Sequence, residues 1–154
     1  MATDPTQPEQ VVHDYVAWVN GDSSKIDALA ESVDVYNPGL SDGEVHGRAA
    51  YDSYVQELRT GLPDFHFTED MIVSRGDVVI VEFTITGTHD GELKGIPPTG
   101  RKLELRGMEK FRVVDGKIQE MYAYFDTQEI PEQLGLTCPA VIGQLPKLVL
   151  RKVL

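Results

Sequence analysis

Hydrophobic residues follow two different periods along the chain. In the N-terminal part, apolar residues recur every three or four positions, as on one face of an α-helix. Further along they alternate with polar residues, as in a β-strand with one buried face. The first pattern predicts helices over 9–20 and 47–60, a short helix between them that Ser23 or Ser24 caps, and a strand over 33–38.

The alternating part predicts four consecutive strands, over 65–74, 77–89, 101–114 and 117–125, and then a short helix from 126 to 134. Asp115-Gly116 is typical of a tight hairpin turn, and the proline-containing segment from Gly95 to Gly100 is a stiff connection outside the ladder. Strands joined in this way form a curved antiparallel sheet, and its concave face can bind a small molecule. With three N-terminal helices, this order predicts an α+β fold, a cone-shaped α+β barrel.

Composition narrows the possible functions. The 154 residues suit one domain over 1–154, with a core at about 9–135 and a C-terminal tail over 136–154. A net charge of −11, from 25 acidic and 14 basic residues, argues against nucleic acid or a membrane surface as partner. The single cysteine, Cys138, fits a reducing compartment, so we expect a cytoplasmic protein in which Cys138 has no catalytic role.

Glu109 interrupts an apolar row. One face of the strand 101–114 carries Leu103, Leu105, Gly107, Glu109, Phe111 and Val113. Carboxylates on a core face are rare unless they are paired or functional. Two interpretations follow: Glu109 is a functional acid in a pocket, or it is a structural acid paired with an arginine or a tyrosine.

Three other polar residues are candidates, each with a structural alternative. Asp126 follows the last strand and is either a catalytic acid or the N-cap of the next helix. His89 continues the inward row of the strand 77–89, and His46 lies in a loop that could approach the same mouth. The four histidines show no HxH or HExxH spacing, so we predict no metal site.

Five segments resemble one known family in their order and spacing. They are Pro63-Asp64-Phe65-His66-Phe67, Gly87-Thr88-His89-Asp90-Gly91-Glu92, Gly95-Ile96-Pro97-Pro98-Thr99-Gly100, Phe111-Arg112-Val113-Val114-Asp115-Gly116-Lys117-Ile118, and Phe125-Asp126-Thr127 with Gln133-Leu134-Gly135. Together they are similar to the SnoaL-like polyketide cyclases, over about 9–135. The resemblance implies a nuclear transport factor 2-like fold, in agreement with the hydrophobic pattern.

The resemblance also implies a chemistry. It implies an intramolecular aldol cyclase that needs no cofactor and acts on aromatic polyketide esters, with a carboxylate near the end of the last strand as general acid and base. Asp126 matches that carboxylate. Many relatives also carry an acid three positions earlier, where this chain has Ala123; if that position holds the working acid, Glu109 on the adjacent strand is the expected substitute.

Three functions remain open on these grounds. The first is an acid/base cyclase or isomerase for a small hydrophobic or aromatic carbonyl compound, in which Asp126 or Glu109 moves the proton and His89 or a tyrosine hydroxyl binds the oxyanion. The second is a ligand-binding domain without catalysis. The third is water addition, as in epoxide hydrolases of related fold, which needs an Asp-Arg-Asp arrangement. The predicted substrate-binding residues are Trp18, Tyr36, His46, Tyr54, Phe83, Phe111, Tyr122 and Tyr124.

We also expect a homodimer, because large curved sheets of this kind usually cover their outer face with a second subunit. The outward row of the strand 101–114 is charged: Lys102, Glu104, Arg106, Met108, Lys110 and Arg112. An interface formed there would therefore be polar.

Overall fold

The computed structural model describes residues 6–137 and 145–146. Its elements are α1 (Gln7–Val19), a 3-10 helix (Ser23–Ala28), β1 (Leu29–Tyr36), β2 (Glu44–His46), α2 (Arg48–Gly61), β3 (His66–Arg75), β4 (Val78–Thr88), β5 (Lys102–Val114), β6 (Lys117–Phe125) and α3 (Glu129–Gln133). The predicted α+β class is confirmed. Cys138 and most of the predicted tail lie outside the described residues. Within them, no helix has the length and hydropathy needed to cross a membrane.

The strands form one curved sheet in the order β2-β1-β6-β5-β4-β3. All neighbours are antiparallel except β1 and β6, which run parallel. The four consecutive strands β3 to β6 are antiparallel as predicted, but the whole sheet is mixed, because β1 meets β6 only after a long crossover through α2 and four strands. The segment Glu44–His46, predicted as loop, is a short edge strand against β1.

A bulge in β6 decides which side chains of that strand face inward. The register of β6 against β5 shifts at Gln119, which has no partner across the ladder. Uniform alternation predicts that Ile118, Tyr122 and Tyr124 share a face, and the bulge breaks this row. Ile118 is fully buried, whereas Tyr124 is 57% exposed. Tyr122 lies opposite Lys110, whose ammonium covers its ring on the outer face of the sheet.

α1 begins earlier than the hydrophobic pattern predicts. The side chain of Thr6 accepts from the backbone of Glu9, and Glu9 accepts from the backbone of Thr6. This capping box satisfies free N–H groups of the first turn, so the helix starts at Gln7. The following 3-10 helix is capped by Asp22, which accepts from the Ser24 N–H, and the expected caps Ser23 and Ser24 lie inside it.

Side-chain contacts hold α1 along the edge strand β3. Near its start, the Ser74 hydroxyl donates to Glu9, and at its middle His13 Nδ1 lies 2.9 Å from a carboxylate oxygen of Glu69. At its end, Asn20 imitates a neighbouring strand: its amide donates to the Phe67 carbonyl at 2.9 Å and accepts from the Phe67 N–H at 2.7 Å. These contacts fix the helix that closes one side of the core.

The core fills the space between the helices and the inner face of the sheet. It includes Val12, Tyr15, Trp18, Tyr51, Val55, Phe67, Val79, Val81, Phe83, Phe111, Val113, Ile118 and Met121. Trp18 and Phe111, predicted to bind substrate, are part of this packed region, where both contact the ring of Tyr15. The outer face of β5 is exposed as predicted, and the homodimer stays a prediction.

We predict that Asn20→Ala lowers the free energy of unfolding by about 1–3 kcal/mol, because both backbone groups of Phe67 lose their partner. Asn20→Asp is the matched variant: it keeps the acceptor for the Phe67 N–H and loses only the donor, so its loss should be smaller. Urea unfolding measures both. Equal stability of Asn20→Ala and the parent protein would contradict this role of the side chain.

Candidate active site

A cavity of about 260 Å³ opens between α1, α2 and the inner face of the sheet. The exposed lining residues Pro38, Lys94 and Thr127 mark its mouth. Its wall is mostly apolar and aromatic, with Val19, Val55, Leu58, Leu62, Phe65, Phe67, Phe83, Ile85, Leu93, Leu103, Leu105, Phe125, Ile130 and Pro131. Among the described residues of the lining, only Glu109 and Lys94 are charged. Ligand sites commonly combine such a wall with a few polar groups.

Glu109 projects from β5 into this cavity and is 4% exposed. The alternation of the strand places it inward between buried neighbours, as the sequence predicts. Burial raises the pKa of its carboxyl to about 8, and an interaction with the Tyr15 hydroxyl acts in the opposite direction. Within the described structure, its Oε2 is buried without a hydrogen-bond partner. Neither an arginine nor a lysine pairs with it there, so the arginine form of the structural-acid interpretation is not met, whereas the Tyr15 hydroxyl is a partner of the kind that the tyrosine form expects.

Three tyrosines from the two long helices surround the cavity near this carboxyl. The hydroxyls of Tyr15 and Tyr51 are 2.9 Å apart, and Tyr54 lies one helical turn beyond Tyr51. Burial raises the pKa of all three hydroxyls, and the charge of Glu109 raises them further. They are neutral at physiological pH, and those whose proton is not used in the bond between Tyr15 and Tyr51 can donate a hydrogen bond to a ligand oxygen.

Ala123 lies directly opposite Glu109 in the pairing of β5 with β6. Both residues face the interior, at 4% and 8% exposure. Side chains opposite each other in an antiparallel pair have Cβ atoms about 5 Å apart. The position at which the family resemblance expects an acid is thus occupied by a small residue, and the Glu109 carboxyl lies beside it.

Asp126 is placed differently from Glu109. It is exposed, follows the end of β6 and is absent from the residues that line the cavity. Its carboxylate accepts from the Gln128 N–H at 2.9 Å, and its backbone carbonyl accepts from the Glu129 N–H. It stabilises the turn that leads into α3, although the helix N-cap is Gln128. The next residue, Thr127, lines the mouth.

His89 is fully buried beside the loop that follows β4 and does not line the cavity. The Thr99 N–H donates to its Nδ1 at 3.3 Å, and the Thr99 hydroxyl lies 3.0 Å from the same atom. Because Nδ1 accepts, the neutral imidazole carries its proton on Nε2. Burial lowers its pKa, while an interaction with the Ile96 backbone acts in the opposite direction. His89 therefore stabilises the loop between β4 and β5 through its contacts with Thr99.

Of the predicted substrate-binding residues, the structure brings only Tyr54 and Phe83 into the cavity lining. Tyr36 stacks on Tyr122 at 4.6 Å between ring centroids, away from the lining. His46 pairs with Asp34 at 2.6 Å on an exposed surface. Since Trp18 and Phe111 are core residues and Tyr124 is exposed, these six residues do not form one site with Glu109.

Sequence reasoning missed Tyr15, Tyr51, Asn37 and Lys94 as lining residues. Tyr15 and Tyr51 occupy apolar positions of predicted helices, and that periodicity could have assigned them inward. Asn37 and Lys94 lie in loops, where no periodicity indicates direction. The Asp-Arg-Asp arrangement of the third hypothesis has no counterpart, because the described part of the lining contains neither arginine nor aspartate.

The chain thus has the curved mixed sheet and helices of a nuclear transport factor 2-like fold, with a buried acid inside an apolar cavity. The sequence model for SnoaL-like polyketide cyclases matches residues 9–134, so the chain belongs to this family. The resemblance stated from the sequence is confirmed, and with it the predicted class of enzyme.

Individual relatives agree with this assignment. The chain is similar to the aklanonic acid methyl ester cyclase DnrD of Streptomyces peucetius, at 27% identity over 80% of this chain and 99% of DnrD. It is 32% identical to the nogalonic acid methyl ester cyclase of Streptomyces nogalater, over 73% of this chain and 86% of that enzyme. Among solved structures, IdmH of Streptomyces antibioticus is 30% identical with a TM-score of 0.73, covering 84% and 99% of the two chains.

We predict that Glu109→Gln makes the protein progressively more stable, relative to the parent, as pH rises from about 4.5 to about 8. The folded carboxyl binds its proton more tightly than the unfolded one, so in this window the folded state holds more protons and the parent loses stability with rising pH. Each unit of pKa shift corresponds to about 1.4 kcal/mol. Between pH 4.5 and pH 8, the free energy of unfolding of the parent should therefore fall by several kcal/mol, on the order of 1.4 kcal/mol per pH unit, relative to that of Glu109→Gln.

Denaturant unfolding at pH 5, 6, 7 and 8 measures this difference. Glu82→Gln, on the exposed face of β4, is the control for loss of one negative charge. The difference between Glu109→Gln and the parent should grow with pH, whatever the constant cost of the amide. A difference of constant size across this range would mean that Glu109 is not held in an environment that favours its neutral form.

Proposed function

We propose that this protein is a polyketide cyclase that needs no cofactor and closes a ring by an intramolecular aldol reaction, with Glu109 as general acid and base. The observation that supports this most is the carboxyl of Glu109, which is buried inside an apolar cavity, has no cation partner among the described residues and has one oxygen, Oε2, without a hydrogen-bond partner. A pKa of about 8 suits a group that must both take and return a proton near neutral pH. Membership of the cyclase family supports the same reaction class.

The proposed reaction has two proton transfers. Ionised Glu109 removes a proton from the carbon next to a substrate carbonyl, and the electron pair moves to that carbonyl oxygen. Hydroxyls of Tyr51 and Tyr54 donate hydrogen bonds to the resulting enolate oxygen. The enolate carbon then forms a bond to a second carbonyl of the same molecule, and the new alkoxide takes the proton back from Glu109. Protons balance, and the enzyme returns to its initial state.

The names of the relatives indicate a substrate class. Two relatives are named as cyclases of the methyl esters of aklanonic and nogalonic acid, and the family resemblance implies aromatic polyketide esters. An apolar cavity lined by aromatic rings suits a planar aromatic ligand of this kind. We therefore propose a polyketide methyl ester or a close analogue as the substrate.

We predict that Glu109→Gln lowers turnover of aklanonic acid methyl ester by about 10²–10⁴-fold, because the proton acceptor is lost. In the parent enzyme, kcat/KM should rise with pH and level off above about 8, as the carboxyl ionises. Asp126→Asn is the matched control, since that acid is exposed and holds a turn. If Asp126→Asn abolishes turnover while Glu109→Gln does not, the assignment of the acid is wrong.

A second prediction uses the pairing of Glu109 with Ala123. Adding Ala123→Asp to Glu109→Gln puts a carboxylate back into the same space from the neighbouring strand. The single-turnover rate of the double variant on the same ester should be at least tenfold higher than that of Glu109→Gln alone. Ala123→Ser in the same background adds a polar group without a carboxylate and should recover nothing. Equal recovery by both would show that polarity, and not a proton acceptor, is what the site needs.

A further inference from the structure

Lys94 is the one cation among the described residues that line the cavity. Its ammonium donates to the carbonyl of Gly39 across the mouth and lies 5.7 Å from the centroid of the Tyr54 ring. In the described structure it forms no ion pair with a carboxylate. A lysine ammonium has three donors, so this arrangement leaves two N–H groups and the full charge available.

The position of Lys94 is fixed by the loop that carries it. Leu93 and Ile96 exchange backbone hydrogen bonds on either side of it. The loop is packed against the end of α2, since the Gly91 N–H donates to the Gly61 carbonyl at 3.1 Å. A side chain at Gly91 would meet the Thr60 carbonyl oxygen at 2.0 Å, so only glycine permits this approach.

His89 fastens the other end of the same loop. The backbone N–H of His89 donates to the Arg101 carbonyl, and the backbone carbonyl of His89 accepts from the Gly100 N–H. These two bonds extend the hydrogen-bond ladder beyond the ends of β4 and β5. The His89 ring holds Thr99, whose hydroxyl accepts from the Arg101 N–H at 3.3 Å. Lys94 is therefore presented by a loop whose two ends and middle are all bonded, and its charge is preorganised.

The surroundings determine on which side an anion can approach Lys94. Towards the solvent it borders a groove that also contains Asp42, Glu44 and Glu57, and these carboxylates repel an anion. Towards the cavity the wall is apolar, and the carboxyl of Glu109 is mostly neutral at pH 7 because its pKa is about 8. The charge that faces the cavity is thus positive, in a protein whose net charge is −11.

We propose that Lys94 anchors the substrate, and that the substrate presents an ionised oxygen to it at the end remote from Glu109. Such an oxygen, an ionised acidic enol of the proposed ester substrate, forms a charge-assisted hydrogen bond with the ammonium. A neutral ligand oxygen would accept a weaker hydrogen bond from the same N–H groups, because it lacks the attraction between opposite charges. This inference rests on the proposed function of the cavity and adds that the mouth selects for negative charge.

The test compares two probes with the same ring system, anthraquinone-2-carboxylate and its methyl ester: the first supplies an ionised oxygen, and the second is neutral and larger by one methyl group. Binding is followed by quenching of Trp18, the single tryptophan of the chain, whose ring lies 5.9 Å from that of the cavity residue Tyr51. We expect the parent protein to bind the carboxylate about tenfold more tightly than the ester at pH 7 and low salt. Lys94→Met should remove this preference, and Lys94→Arg should retain it.

The outcomes separate this inference from the proposed function. Equal affinity for the two probes in the parent protein, or a preference that survives Lys94→Met, overturns the role of Lys94 and leaves the cyclase proposal intact. Failure of both probes to bind would overturn the use of the cavity as a ligand site, and both proposals with it. Lys110→Met is the control: it removes the same charge from the outer face of the sheet, outside the cavity lining, so this variant should keep the preference for the carboxylate.

Discussion

Desolvation of the Glu109 carboxyl is the constraint on which the site depends. The alternation of β5 forces this side chain inward with its apolar neighbours, and no cation of the described structure compensates its charge. A buried, unpaired carboxylate is so unfavourable that the group retains its proton instead, and the pKa rises to about 8. Burial would make a purely structural carboxylate destabilising, but it gives Glu109 the raised pKa that the proposed acid/base chemistry requires.

The alternation of polar and apolar residues within one strand was sufficient to predict that Glu109 faces inward. It was not sufficient to predict which aromatic residues share the cavity with it. A strand has a period of two, so six residues of β5 determine which face Glu109 takes. The same reasoning failed on β6, where the bulge at Gln119 reverses the phase between Ile118 and Tyr122. A bulge inserts a residue without a composition signal, so Tyr122 and Tyr124 were predicted inward although they lie on the outer face.

The remaining parts of the site depend on contacts that are distant in sequence. Tyr15 and Tyr51 are 36 positions apart and meet only when α1 and α2 pack over the sheet. Helical periodicity marks both as inward, but it cannot distinguish the packed core, where Trp18 lies, from the cavity wall. The parallel pairing of β1 with β6 could not be predicted either, because these two strands are distant in sequence and meet only in the folded sheet. The fold class was predictable because it needs only the order of elements, whereas the site needs their packing.

In the proposed reaction, the apolar wall has a chemical role in addition to binding the substrate. Ring closure within one molecule consumes no second reactant, so water is not needed and would compete for the enolate by returning its proton. In a dry cavity the tyrosine hydroxyls interact with a developing oxyanion more strongly than they would in water, because the local dielectric constant is low. The same low dielectric raises the pKa of Glu109. In the proposed mechanism, exclusion of water therefore sets both the pKa of the base and the lifetime of the enolate, and we expect a mutation that admits water to impair both.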